Sequence, residues 1–144
     1  MIKRPFIGIA FFLLISLIMP AITAYAADPS PREVYILKQK ALEALDFNEF
    51  GKYLTKENYA GLKQALDLKN MMFLIRKLRT PTEFTVEKEE INGNSAVIYL
   101  KGKFPLDPNN PEKIEPGYGK ATFKKEGTSW KFINEKWQTN AWKQ

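Results

Sequence analysis

The chain has 144 residues, with 22 Lys or Arg against 16 Asp or Glu, and it contains neither His nor Cys. Their absence excludes thiol nucleophiles, imidazole-dependent triads, conventional zinc sites and disulfide staples, so acid and base chemistry would fall to Asp, Glu, Lys and Tyr. A formal net charge of +6 favours anionic surfaces without specifying one.

The basic Met1-Ile-Lys-Arg4 precedes an uncharged, almost wholly apolar run from Phe6 to Met19, and Ala24-Tyr25-Ala26 supplies a small-x-small site. That order predicts a secretory signal peptide over residues 1–26, cleaved after Ala26, with Pro20 ending the apolar helix ahead of the site. The competing expectation is an uncleaved anchor, because residues 6–26 carry no charge and are just long enough to span a bilayer. With no twin arginine and no cysteine to lipidate, the general secretion route is expected. The remaining single domain, residues 27–144, would then be periplasmic or secreted.

Ser30-Pro31-Arg32-Glu33 reads as a helix start, with Ser30 and Glu33 as a capping box and Pro31 where no amide hydrogen is needed. Val34, Leu37, Ala41, Leu42 and Leu45 follow at helical spacing, with Lys38, Gln39, Lys40 and Glu43 outside the stripe, predicting a helix over about 31–45. A short second helix carries Phe47, Phe50, Tyr53 and Leu54, with Gly51 in its middle and Asp46 as its cap. Thr55 caps a third helix with Leu62, Ala65 and Leu66, and a fourth piece over about 70–78 carries Met71, Met72, Ile75 and Leu78. Thr80-Pro81 closes the helical half.

From Thr82 the period becomes alternating: Phe84 and Val86 point one way, Thr85 and Glu87 the other. Asn92-Gly93 signals a hairpin. The return strand, 95–104, sets Ala96, Ile98, Leu100 and Phe104 against Val97, Tyr99, Lys101 and Lys103. Pro105, Pro108, Pro111 and Pro116 mark the next stretch as a loop too proline-rich to pair. Its Leu106-Asp-Pro-Asn-Asn-Pro-Glu112 lacks the glycine and alternating acids of a calcium loop and reads as a polar connection. Strands over 117–124 and 129–137 form a second hairpin turning at Gly127, and Trp142 is the one apolar residue of the tail. Helices first and about four antiparallel strands afterwards predict an α+β domain, with the helices packed on one face of a curved sheet.

Ala41-Leu-Glu-Ala-Leu-Asp-Phe-Asn-Glu-Phe-Gly-Lys-Tyr-Leu-Thr-Lys-Glu57 and the closing hairpin Gly119 to Asn134 resemble the NTF2-like superfamily, within it the small secreted domains of the DUF4878 type. The resemblance implies a cone whose interior serves as a ligand pocket or a catalytic chamber, and an outer sheet that serves dimerisation or protein binding. It implies no catalytic residue, because no position matches a catalytic motif of the enzymatic branches, and no cofactor.

The inward sheet face collects Phe84, Val86, Ile98, Leu100, Phe104, Phe123, Trp130 and Phe132, which is most simply a core. If the cone holds a small apolar ligand, Tyr53, Met72, Phe104, Trp130 and Phe132 are the lining candidates. Lys101, Lys103, Lys120, Lys124 and Lys131 fall on the opposite face, where lysines ordinarily solvate a sheet but can dock an anionic or acidic partner. Nucleic acid is disfavoured by the export signal and by the lack of arginine in the strands. The leading expectation is a non-enzymatic envelope module that binds another envelope protein or a small apolar ligand. The alternatives are a cofactor-free isomerase or cyclase-like enzyme pairing Tyr53 or Tyr59 with Asp46 or Glu83, and an immunity or inhibitor protein presenting the loop 106–116.

Overall fold

The computed structural model describes residues 27–64, 70, 81, 83–107 and 110–139. Among the described residues, the helices α1 (Pro31–Glu43), α2 (Phe47–Lys52) and α3 (Lys56–Lys63) precede the strands β1 (Glu83–Asn92), β2 (Ser95–Asp107), β3 (Asn110–Glu126) and β4 (Ser129–Thr139). The strands form one antiparallel sheet in the order β1-β2-β3-β4, and α1 packs against β1, β2 and β4. The expected α+β order is thus the observed one. The expected fourth helix, with Met71, Met72, Ile75 and Leu78, lies outside the described residues, as do Ala65, Leu66 and Trp142.

Each helix begins where its cap predicts. Ser30 Oγ accepts from the Glu33 amide at 3.3 Å while Glu33 Oε2 accepts from the Ser30 amide at 2.8 Å, the reciprocal capping box. Asp46 and Thr55 accept from the amides of Glu49 and Asn58 in the same way. The first helix stops two residues before Leu45, contrary to expectation. Leu45 takes φ +54, its amide donates to the Leu42 carbonyl at 3.1 Å, and the Asp46 amide reaches back to Ala41 at 2.9 Å. These two bonds close a Schellman turn with a leucine where glycine is usual, and half-buried Leu45 packs on the core.

The sheet is bent by two bulges, one between Val86 and Lys88 against β2, the other opposite Thr122/Phe123 where Ile133 is the extra residue of β4. Gly93 (φ +56) and Gly127 (φ +65) open the two tight turns, in a backbone region that side chains resist. The inner face and the helices enclose Val34, Tyr35, Leu42, Phe50, Leu54, Ile98, Leu100, Phe123, Trp130 and Phe132 as one core. The edge of β4 is partly taken up by the chain between α2 and α3. The Phe132 amide donates to the Tyr53 carbonyl at 2.7 Å, and the Thr55 amide donates to the Phe132 carbonyl at 3.2 Å.

The proline-rich stretch is no loop. Lys103 pairs with Pro116, Phe104 with Glu115, Pro105 with Ile114 and Asp107 with Asn110, so β2 and β3 run on as a two-stranded arm. β1 starts opposite Lys103 and β4 ends opposite Gly117, so the arm passes beyond both neighbours. Among the described residues each strand of the arm has a partner on one side, and a proline can turn its missing donor to the other side.

Candidate functional site

Two places concentrate chemistry, one inside the cone and one on its outer face. Inside, α1 presents Tyr35, Lys38 and Gln39 to the inner sheet face, where β4 contributes Glu135. Lys38 and Gln39 are each only 2% exposed, which corrects the expectation that they lie outside the apolar stripe. The buried face of α1 runs through Val34, Tyr35, Lys38, Gln39, Ala41 and Leu42, rotated from the predicted stripe toward the polar side chains. The core tolerates them because most of their polar atoms pair with one another. The Tyr35 hydroxyl donates to Glu135 Oε2 at 2.7 Å, Gln39 Nε2 donates to the Tyr35 oxygen at 3.0 Å, and Lys38 Nζ lies 3.7 Å from Glu135 Oε1. Lys38 Nζ also sits 3.8 Å from the centre of the Phe132 ring, where the aromatic face offsets part of its desolvation.

Burial dominates the protonation of this cluster. It pushes the Tyr35 hydroxyl well above the ordinary tyrosine range, and the adjacent Glu135 carboxylate pushes in the same direction. Burial also pulls the Lys38 ammonium down, against the attraction of Glu135. Among the described residues the buried side-chain atoms Gln39 Oε1, Trp137 Nε1 and Thr139 Oγ1 have no hydrogen-bond partner. Trp137 lies over glycines of β2 and β3. A Cβ on Gly119 would fall 2.7 Å from its ring and one on Gly102 3.0 Å, and Phe104 meets the indole edge-on at 4.9 Å.

The expected lining residues are dispersed. Trp130 and Phe132 are buried core, and Phe104 sits half-buried at the base of the arm. Tyr53 ends α2 and donates to Glu49 Oε1 at 2.5 Å, a bond that pushes its pKa up to about 12. Met72 lies outside the described residues. Of the expected proton-transfer groups, Asp46 caps α2, Glu83 pairs with Lys103 at 2.8 Å on the surface, and Tyr59 stacks on Phe47. None of these pairs is brought together. The Tyr–carboxylate pair inside the cone is Tyr35 with Glu135, a combination the sequence reading did not reach.

On the outer face stand the five expected lysines. Lys103 is tied to Glu83, Lys124 lies 3.7 Å from Glu126, and Lys131 donates to the Lys52 carbonyl at 2.5 Å. Lys101 is exposed, and Lys120 Nζ lies 5.1 Å from the centre of the Tyr99 ring. Lys120 lines an open groove of about 630 Å³ across the four strands, together with Glu87, Tyr99, Tyr118, Asn134, Lys136 and Gln138. Tyr118 is 62% exposed. Sequence reasoning placed Tyr118 in the strand over 117–124 without naming it as a site residue, and missed Lys136 and Gln138 because they lie beyond the β4 bulge. Among the described residues no cluster of acidic side chains could hold a metal ion, and no helix is long and apolar enough to cross a membrane.

No protein-family model matches the chain, and no curated protein does. Among solved structures, a SEC-C motif containing protein from Rhodopseudomonas palustris superposes with a TM-score of 0.57 at 14% identity, over 74% of this chain and 77% of that one. A protein from Thiobacillus denitrificans described as a calcium/calmodulin-dependent protein kinase type II association domain superposes at 0.54 with 10% identity, over 78% and 97%. An NTF-2 like protein of unknown function from Shewanella oneidensis MR-1 gives 0.45 at 10% identity, over 72% and 92%. These likenesses are of fold alone. Helices followed by a curved four-stranded antiparallel sheet make the architecture α+β, with the helices on one face of the sheet.

Proposed function

We propose that the chain is an exported, non-enzymatic accessory module of the cell envelope, of the DUF4878 type, which recognises a partner protein through the outer face of its sheet. The carrying observation is the groove across the sheet, open to solvent and lined by Tyr99 and Tyr118 together with strand residues of β1 to β4. Rigid strands hold such a surface in shape without a ligand, which reduces the ordering cost of binding. The interior argues the other way for a small apolar ligand, since Tyr35, Leu42, Ile98, Leu100 and Phe123 already fill it. Export rests on the basic, apolar and small-x-small order of residues 1–26.

The enzymatic alternative is favoured by one observation, the inward Tyr35–Glu135 pair. A proton-transfer tyrosine works best with a pKa near the operating pH, and burial moves Tyr35 away from it. The accessory reading is therefore preferred.

A photo-crosslinking residue in place of Tyr118 tests it in the native cell, with the same residue in place of exposed Lys40 on α1 as control. The expected result is one identified envelope protein attached at position 118 and absent at 40, on a chain whose intact mass starts at Ala27. Equal labelling at both positions would sink the outer-face assignment, and a chain retaining residues 1–26 would sink export.

A further inference from the structure

Along β3 and β4 the groove residues face one another in direct register: Tyr118 with Gln138, Lys120 with Lys136, and Thr122 with Asn134. The middle pair is two ammonium groups placed directly opposite each other, an arrangement that destabilises an antiparallel sheet. The neighbouring like-charged pair, Lys124 with Lys131, is relieved on both sides, by Glu126 and by the Lys52 carbonyl. Lys120 and Lys136 form no ion pair with any described carboxylate. The nearby acids relieve the pair only in part: Glu90 holds Lys88, accepts from the Tyr99 hydroxyl at 2.9 Å and attracts Lys120 from beyond ion-pair distance, and Glu87, which accepts from Thr85 at 3.1 Å, lines the same groove. A local conflict kept at the centre of a preformed groove marks a place where an external group completes the electrostatics.

We infer that Lys120 and Lys136 form a carboxylate clamp that receives an acidic, extended segment of the partner protein in the outer-face groove. This rests on the partner-protein reading and adds the chemistry of what is recognised. From position 118 to position 122 the strand covers about 14 Å, the length of about four extended residues. The Tyr99 and Tyr118 rings offer apolar walls, while Asn134 and Gln138 offer amides to a passing backbone. A bilayer is the poorer occupant, because the Glu87 carboxylate lines the same groove as the two lysines and would meet anionic headgroups with like charge. Two lysines without an arginine also fall short of a nucleic-acid track.

The test is an amide-shift titration of the full chain, in the form the cell accumulates, with a hexaglutamate peptide and a hexaglutamine control. Hexaglutamate should shift amides of 118–122 and 134–138, hexaglutamine should not, and binding should weaken as salt rises. Lys120→Gln with Lys136→Gln should reduce affinity at least about tenfold, while Lys40→Gln, exposed on α1, leaves it unchanged. The double variant should melt at the same or a higher temperature, since it removes a repulsion, so lost binding cannot be ascribed to lost fold. Hexaglutamate binding that survives the double variant, or no binding by the parent chain, would overturn the clamp. Lysine-dependent binding to phosphatidylglycerol vesicles in preference to the peptide would overturn the choice of occupant. If the position-118 crosslink persists in the double variant, the partner reading stands and the clamp alone falls.

Discussion

An ammonium group that is all but sealed inside the cone sets the energetics at the residue scale. Lys38 is held by Glu135 and an aromatic face, and its lowered pKa says that burial outweighs that attraction. Glu135→Gln keeps an acceptor for the Tyr35 hydroxyl but strips Lys38 of its counter-charge, and should cost about 3 kcal/mol in urea denaturation. Adding Lys38→Met should restore most of that loss; a double variant as unstable as the single would refute the account. Tyr35 gives a pH signature. Its folded pKa lies above the unfolded value of 10.0, so its contribution is complete below pH 10.0 and is lost as pH rises further. Lys38 works with the opposite sign, gaining stability with rising pH up to its unfolded value of 10.5, so the tyrosine decline dominates only beyond that point. Denaturation midpoints should therefore fall between about pH 10.5 and about pH 11.5 in the parent chain, and fall less in Tyr35→Phe. None of this was legible from charge alone, because a lysine and a glutamine beside an apolar stripe ordinarily mark the solvated side. The residue that changes their meaning, Glu135, lies 97 positions after Lys38.

At the scale of elements, the helix starts were legible because each cap is a local hydrogen bond written in three or four residues. Ser30, Asp46 and Thr55 all sit where their side chains predict. The last strand was legible only as far as its bulge. Strict alternation from Trp130 and Phe132 puts Asn134 and Lys136 inside, but the extra residue Ile133 flips the parity and turns Glu135 and Trp137 inward instead. Deleting Ile133 should thus abolish cooperative unfolding, whereas Ile133→Ala should cost less than about 1 kcal/mol, because the side chain is exposed while the insertion sets the register. Gly119→Ala brings a Cβ to 2.7 Å from the Trp137 ring and should cost about 2 kcal/mol by thermal melting. The proline stretch was misread for a different reason. Prolines forbid pairing on two sides, and the sequence does not say that these strands pair, among the described residues, on one side.

For the molecule as a whole, the order of helices and strands carried the fold. The sequence could not carry the site, because the groove exists only when three strands bring Tyr99, Tyr118, Lys120 and Lys136 together. The expected lysine face is real as a surface, yet three of its five lysines are committed to partners within the chain. Replacing residues 106–113 with Asn-Gly should keep the melting temperature within a few degrees, and a collapse on this change would show that the arm holds the cone closed. The glycines under Trp137 have an optical consequence. They seat one indole against Phe104 at the root of the arm, while Trp130 lies buried beneath Lys125. Fluorescence from position 137 therefore gauges the arm without any attached dye, and Trp137→Phe separates that signal from the rest.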